Sequence, residues 1–414
     1  MQNKFVLQLR TTAGTGGAFG PLSRGMADAP PRSRRRSANL PLPDSVALVL
    51  QGGGALGSYQ AGVIEGLAAS DIEIDWVAGI SIGAVNAAIV AGNPPELRVE
   101  RLRAFWSGLG TWLPSFPIFP NAQVREALHE WSAGFVAMAG VPGFFSPRRI
   151  SPLLATPGTP EALSYYDPTP LIATLDALVD WDLVNDGPVR LSVGAVDVES
   201  GNFHYFDSAD TRLDARHIMA SGALPPGLPP VEIDGRWWWD GGIVSNTPLT
   251  YLLDHQDGAM LVFQVDLFSA SAERPKTIMD VMAREKEIRF SSRTREVSAQ
   301  LMKLRQEREA IRKALKKLPA DLSDDRDIRA LAALAEEHPV NLVHLIYRAN
   351  AWEGGSRDFE FSARTMREHW DAGRLAVTHS LANSQVVAEN IETGKSAAFD
   401  LAVKPQPITP VTKD

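Results

Sequence analysis

The residues best suited to chemistry in this sequence form a G-x-S-x-G pentapeptide, Gly79-Ile80-Ser81-Ile82-Gly83. In a nucleophile elbow of this form, the serine occupies a sharp turn between a strand and a helix. The flanking sequence fits, because 75–78 is predicted to form a short buried strand and 84–91 the following helix. The free N–H groups at the start of that helix would stabilise an anion formed at Ser81. The non-catalytic alternative is a glycine-lined turn with a serine cap.

A glycine-rich loop, Gln51-Gly52-Gly53-Gly54-Ala55-Leu56-Gly57, follows the apolar run 46–50, which predicts a buried strand. Bare backbone N–H groups in such a loop can bind an anion, including the tetrahedral oxyanion of acyl transfer. The same loop satisfies G-x-G-x-x-G, the dinucleotide-binding fingerprint, through Gly52, Gly54 and Gly57. Acids that could serve that fingerprint about 20 residues further on are Asp71, Glu73 and Asp75.

An acidic residue at a predicted strand end supplies a third motif, Asp240-Gly241-Gly242. The strand before it would carry the Asp240 carboxylate into a cleft, and the two glycines would permit a tight turn. Asn246 is predicted to cap the next helix, with Pro248 in its first turn.

In this order, the motifs resemble those of the patatin-like phospholipases. The resemblance covers roughly 45–266 and includes one further segment, Ala220-Ser221-Gly222-Ala223-Leu224-Pro225. It implies a three-layer α/β/α fold with a mainly parallel central sheet. It also implies a histidine-free dyad of Ser81 and Asp240, an acyl-enzyme, and an oxyanion hole in the Gly52–Gly54 loop. Many relatives carry Arg or Lys at the position of Leu56, so binding of a phosphate headgroup there is not implied.

We therefore expect a lipid acyl hydrolase of the phospholipase or lysophospholipase type, with no cofactor and no metal ion. A Ser-His-Asp esterase acting on hydroxyacyl oligoesters or neutral glycerides remains open, because its histidine would follow the aspartate along the chain. Five histidines do so: His255, His338, His344, His369 and His379. Two non-hydrolytic alternatives are a nucleotide-binding module built on the glycine loop and a lipid-binding scaffold.

Composition narrows the class of protein further. The chain has 414 residues, of which 44% are hydrophobic and 22% charged, which is typical of a globular protein large enough for two domains. The absence of cysteine excludes disulfides, thiolate metal sites and cysteine nucleophiles. The net charge of -8 argues against a broad nucleic-acid surface. The expected partner is a lipid or other acyl ester, the expected location is cytoplasmic, and the oligomeric state is open.

Four segments are expected along the chain. Residues 1–42, rich in Gly, Pro, Ser and Arg, are predicted to be a disordered basic segment. Residues 43–270 would form the catalytic domain, 271–400 a mainly helical C-terminal domain, and 401–414 a tail. Phe144 and Phe145 are candidates for an acyl pocket, with ordinary loop packing as the alternative.

A long charged helix is predicted over 274–318, which contains no glycine. Its apolar residues recur at heptad-like spacing: Val297, Leu301, Leu304, Ile311, Leu315 and Leu318. We expect this stripe to pack against helices after Ser362. The opposite face is rich in Lys and Arg, which leaves a peripheral contact with anionic membranes open.

Overall fold

In the computed structural model, the described residues are 36–37, 40–113, 121–269, 274–319, 322, 324–335, 338–350, 353–401 and 406–407. They form one large mixed sheet with helices on both faces. Its ten described strands, β1–β10 in chain order, are Ser45–Leu50, Trp76–Gly79, Arg190–Asp197, Phe203–Asp207, Val231–Ile233, Arg236–Asp240, Met260–Asp266, Val340–Ile346, Ala397–Asp400 and Gln406–Pro407.

The strand order is β10-β9-β8-β7-β1-β2-β3-β6-β5, and β4 also pairs with β3. The six strands from β9 to β3 are parallel. The outer pairings are antiparallel. The parallel strands share one carboxyl edge, where α/β sheets usually place their ligand sites. The prediction of a mainly parallel central sheet is confirmed.

Helices cover both faces of this sheet. The described α-helices, α1–α12, are Gly57–Ala68, Ile82–Ala91, Pro95–Gly110, Ala122–Ala139, Thr169–Leu178, Trp181–Asp186, Ala215–Gly222, Leu249–Asp254, Ile278–Leu315, Arg326–Ala335, Ala363–Ala382 and Gln385–Glu392. Successive residues of a strand point to opposite faces. Leu48 therefore packs in the core formed with α1, α2 and α11, while Val49 packs in a second core formed with α8. The sheet is the middle of three layers.

The residues after 271 contribute to the same sheet. β8 pairs in parallel with β7, with Val343 opposite Phe263, and β9 extends the sheet beyond β8. α11 also packs tightly on α1, because a Cβ atom at Gly62 or Gly373 would collide with the backbone of the other helix. The division expected between 43–270 and 271–400 therefore falls inside one sheet.

The long helix predicted over 274–318 is present as α9. Its main contacts are with α8, α10 and β9, in place of the packing expected against helices after Ser362. Leu304 and Leu318 are exposed, so the heptad-like stripe is only partly covered. The side chains of Val297 and Leu301 lie outside the described residues. No helix in the described part of the chain is long and apolar enough to cross a bilayer.

Ordered structure begins before residue 43. Leu40 is buried in the main core, and Leu40–Pro41 pairs with Arg36–Ser37. The disorder expected for 1–42 therefore does not extend to Leu40, while 1–35 and 38–39 lie outside the described residues. Within the expected tail, Leu401 is buried and β10 adds an antiparallel strand to β9.

Candidate active site

Ser81 lies on a strained turn between β2 and α2, at the carboxyl edge of the sheet. Its backbone angles, φ 56° and ψ −124°, fall in a region that residues with side chains rarely adopt. A Cβ atom at Gly79 would collide with the backbone of Gly83, and one at Gly83 would collide with the end of β1. Ile80 and Ile82 are buried on either side. Backbone packing around Ser81 therefore requires glycine at both ends of the motif.

Asp240 ends β6, is buried, and lines the same cavity as Ser81. The Gly242 N–H donates a hydrogen bond to Asp240 Oδ1 at 2.7 Å. The turn needs glycine at 241, because a Cβ atom there would lie only 2.6 Å from the Gly194 carbonyl oxygen. Burial has the largest effect and raises the pKa of Asp240 to about 7, although the hydrogen bond from the Gly242 N–H and the nearby Ser81 side chain lower it. A carboxylate with this pKa is a much stronger proton acceptor than an ordinary aspartate, whose pKa is about 3.9.

The glycine loop is held beside Ser81 by Asn246. The Gly52 N–H donates to Asn246 Oδ1 at 3.2 Å, and Asn246 Nδ2 donates to the Gly52 carbonyl at 3.1 Å. A Cβ at Gly52 would lie 2.6 Å from Asn246 Oδ1 and 3.0 Å from Ser81 Cβ. Within the described chain, the N–H groups of Gly53 and Gly54 have no acceptor. The cap predicted for Asn246 at the start of α8 is absent.

The rest of the loop turns into α1. Ala55 and Leu56 are fully buried, so neither side chain lines the cavity. Gly57 begins α1, and a Cβ there would lie 2.6 Å from Ile82 Cγ1 and 2.9 Å from the Trp106 ring. Gly57 therefore packs directly against α2 and α3.

Ser81 and Asp240 open into a cavity of about 290 Å³. Its lining is mostly apolar, and it includes the predicted pair Phe144 and Phe145. Leu171 of α5 and residues of the Ala220–Pro225 segment complete the lining on that side. The size and apolar character suit an acyl chain, since ligand pockets of this kind combine apolar walls with a few polar groups.

The C-terminal region forms part of this cavity, which the sequence did not indicate. Lys286 and Phe290 of α9 line it, together with Asp358 and Phe359. Lys286 Nζ lies 2.5 Å from Asp358 Oδ2, which ties α9 to the segment around 358. A Cβ at Gly54 would collide with the Asp358 carbonyl oxygen, so this segment covers the glycine loop. No sequence motif marks the residues that supply this wall, which are Lys286, Phe290, Asp358, Phe359 and Phe361.

The histidines lie elsewhere. No histidine is among the described residues that line the cavity. His344 and His369 are buried, His344 with its Nδ1 2.9 Å from Asp266 Oδ2 and His369 with its Nδ1 3.3 Å from Ser58 Oγ. His255 contacts a backbone carbonyl at a surface position.

The fold and site place the chain in a class of α/β proteins with a serine elbow and a buried aspartate. Comparison with known families identifies the class: a patatin-like phospholipase family model matches 48–253, and a second model, described as patatin phospholipase, matches 288–392. The chain belongs to the patatin-like phospholipase family.

Its curated relatives include two fungal proteins named lysophospholipase NTE1. The Kluyveromyces lactis protein is 27% identical over 237 residues, which cover 57% of this chain and 13% of that protein. The Saccharomyces cerevisiae protein is 26% identical over 235 residues, which cover 56% and 11%. The chain thus matches only a small part of each relative.

Among solved structures, VipD from Legionella pneumophila matches with a TM-score of 0.36 and 16% identity, covering 82% of this chain and 67% of that one. Human GIVD cytosolic phospholipase A2 matches with a TM-score of 0.30 and 12% identity, covering 54% and 43%.

Proposed function

We propose that this protein hydrolyses acyl esters of lipids, with Ser81 as nucleophile and Asp240 as the proton acceptor. The observation that carries the proposal is that Ser81, on its strained turn, and the buried Asp240 line the same apolar cavity. Membership of the patatin-like phospholipase family supports it. Because the fungal relatives are named lysophospholipases, a phospholipid with one acyl chain is the first substrate to test.

In the first half-reaction, Ser81 Oγ attacks the ester carbonyl carbon and Asp240 accepts the hydroxyl proton. The carbonyl oxygen becomes an oxyanion, which the free N–H groups of Gly53 and Gly54 and the positive end of α2 would stabilise. As the intermediate collapses, the ester C–O bond breaks. The departing alcohol takes the proton from Asp240, and the acyl group remains on Ser81.

In the second half-reaction, Asp240 takes a proton from water as the water oxygen attacks the acyl-enzyme. Collapse of this intermediate releases the fatty acid, and the proton returns to Ser81 Oγ. The raised pKa of Asp240 suits both steps, because general bases are most effective when their pKa is close to the working pH.

Two alternatives have weaker support. A Ser-His-Asp esterase would need an imidazole beside Ser81, and no histidine is among the described cavity residues. A dinucleotide site would need an acid beside the glycine loop at the carboxyl edge of the sheet. Asp75 instead precedes β2 at the opposite edge, where its Oδ2 accepts a hydrogen bond from the Val46 N–H at 2.9 Å.

The proposal is tested with nitrophenyl esters of increasing acyl length and with a lysophospholipid. Turnover should rise with the length of the acyl chain. Each methylene group that is buried in the cavity stabilises the bound ester by up to about 0.8 kcal/mol. Ser81→Ala should abolish turnover, while Ser245→Ala, outside the cavity lining, should retain it. Equal turnover by Ser81→Ala and the wild-type protein would exclude Ser81 as the nucleophile.

A further inference from the structure

We propose that an apolar rim around the cavity mouth docks the protein on the surface of a lipid bilayer. The rim consists of eight exposed side chains from three segments: Trp131, Phe135, Met138, Ile150, Leu153, Leu154, Ile278 and Met282. This inference rests on the proposed function, because it concerns how a lipid substrate reaches the cavity. It places the membrane contact at the cavity mouth, in place of the basic helix face considered from the sequence.

The loop over 148–165 carries the most exposed part of the rim. It is anchored to the cavity wall, since the Tyr165 N–H donates to the Pro226 carbonyl at 3.1 Å and Pro226 lines the cavity. The Arg148 N–H donates to the Tyr165 carbonyl, so the two ends of the loop meet at the cavity. Between them, Leu153 and Leu154 are 87% and 82% exposed. The loop therefore holds two leucines in solvent beside the opening.

α4 supplies the second part. The Tyr166 hydroxyl, from a cavity-lining residue, donates to the Ala137 carbonyl at 2.7 Å, which fixes the end of α4 to the cavity wall. The next residue, Met138, is 80% exposed. Trp131 and Phe135 share its helix face by their i, i+4, i+7 spacing, and their rings are stacked with centroids 5.6 Å apart. This face is thus apolar for two turns leading away from the opening.

α9 supplies the third part. Lys286 and Phe290 line the cavity and are four residues apart, so they lie on one face of the helix. The same spacing continues backwards to Met282 and Ile278, both exposed. One helix stripe therefore runs from the inside of the cavity out into solvent, and its outer half is apolar.

Single exposed apolar residues are common, but clusters of them mark interaction sites. A protein partner or second copy seated on this rim would cover the opening and block the substrate. A bilayer would instead supply the substrate, since an acyl chain leaving the bilayer would pass from one apolar environment into another. On α9, Lys286 is paired with Asp358 and Arg289 with Glu285. Because the rim side chains are apolar, they would make the larger part of the contact, and we expect docking on zwitterionic vesicles that changes little with salt.

Docking is measured by co-sedimentation with phosphatidylcholine vesicles, with Ser81→Ala as the parent so that no lipid is consumed. Adding Leu153→Glu and Leu154→Glu should lower the vesicle-bound fraction at least tenfold. The matched control adds Leu334→Glu and Leu375→Glu, on α10 and α11, which do not line the cavity. These leucines are also exposed, Leu334 by 58% and Leu375 by 51%, and the control should bind like its parent.

With Ser81 restored, the rim variant should lose activity on vesicle lipid and keep activity on a soluble short-chain nitrophenyl ester. Failure of the wild-type protein on both substrates would reject the proposed function. Unchanged vesicle binding by the rim variant, or equal loss in the control, would overturn the docking proposal. A change of oligomeric state in the rim variant, measured by size-exclusion chromatography with light scattering, would assign the rim to self-association and overturn it as well.

Discussion

Asn246 and Gly52 are 194 residues apart and hold each other by two hydrogen bonds, in which each residue is both donor and acceptor. Because this pairing uses the Gly52 N–H, the adjacent amides of Gly53 and Gly54 are those left to face the cavity. The position of the proposed oxyanion donors relative to Ser81 therefore depends on a side chain that none of the glycine motifs contains.

Replacing Asn246 with Ala should lower kcat more than it raises KM. The loop would lose both hydrogen bonds, and leaving such buried groups unpaired costs about 1–3 kcal/mol. Steady-state kinetics on a soluble ester measure the effect. Asn93→Ala is the matched control, since Asn93 is also buried and bonds two backbone carbonyls away from the cavity. Equal losses of kcat in the two variants would mean that Asn246 acts only through stability.

Ser81→Gly should stabilise the protein while abolishing turnover. The Ser81 backbone angles are strained for a residue with a Cβ, and relief of such strain is worth about 1–3 kcal/mol, less about 0.5–1 kcal/mol for the greater freedom of unfolded glycine. Ser81→Ala keeps the Cβ and should gain nothing from this source. Urea unfolding of the two variants measures the difference, and equal stabilities would show that the strain is no larger than the entropic cost of glycine, about 0.5–1 kcal/mol.

Asp240→Asn should reduce kcat/KM by roughly 10²–10⁴, the usual range for a positioned base. In the wild-type protein, the ionised form of Asp240 accepts the proton, so kcat/KM should rise with pH and level off above a pKa of about 7. A pH–rate profile on a soluble ester gives this midpoint. A midpoint near 4 would indicate that burial does not perturb Asp240 in solution.

The same burial should make Asp240 unfavourable for stability at neutral pH. Its pKa is about 7 in the folded protein and 3.8 without the fold, so between these values the unfolded chain is ionised while the folded protein retains the proton. The free energy of unfolding should therefore fall as pH rises from 4 to 7, by up to about 4 kcal/mol from this group. Asp240→Asn should remove that slope, which chemical unfolding at several pH values would detect.

Substituting the buried histidines should affect stability more than chemistry. His344→Gln removes an imidazole that contacts Asp266, outside the cavity. Turnover should remain within about tenfold of wild type, well short of the effect of removing a base. If His344→Gln or His369→Gln instead matched Asp240→Asn in lost rate, the Ser-His-Asp alternative would be favoured.

The sequence by itself determined the features that depend on neighbouring residues. Gly79 precedes Ser81 because a Cβ there would collide with the backbone of Gly83, four residues further on, so this part of the motif follows from the geometry of the turn itself. The buried run 46–50 and the parallel sheet follow in the same way from local apolar pattern and the alternation of strands and helices.

Only the tertiary structure decided which distant segments meet. The strand over 340–346 is recognisable from its apolar residues, but its pairing with β7 is not, because parallel strands are joined through long connections that leave no local signal. The same holds for Asn246 on the glycine loop and for Asp358 above Gly54. These contacts depend on side-chain and backbone packing across the whole sheet, and they shape the cavity around two residues that the motifs had already singled out.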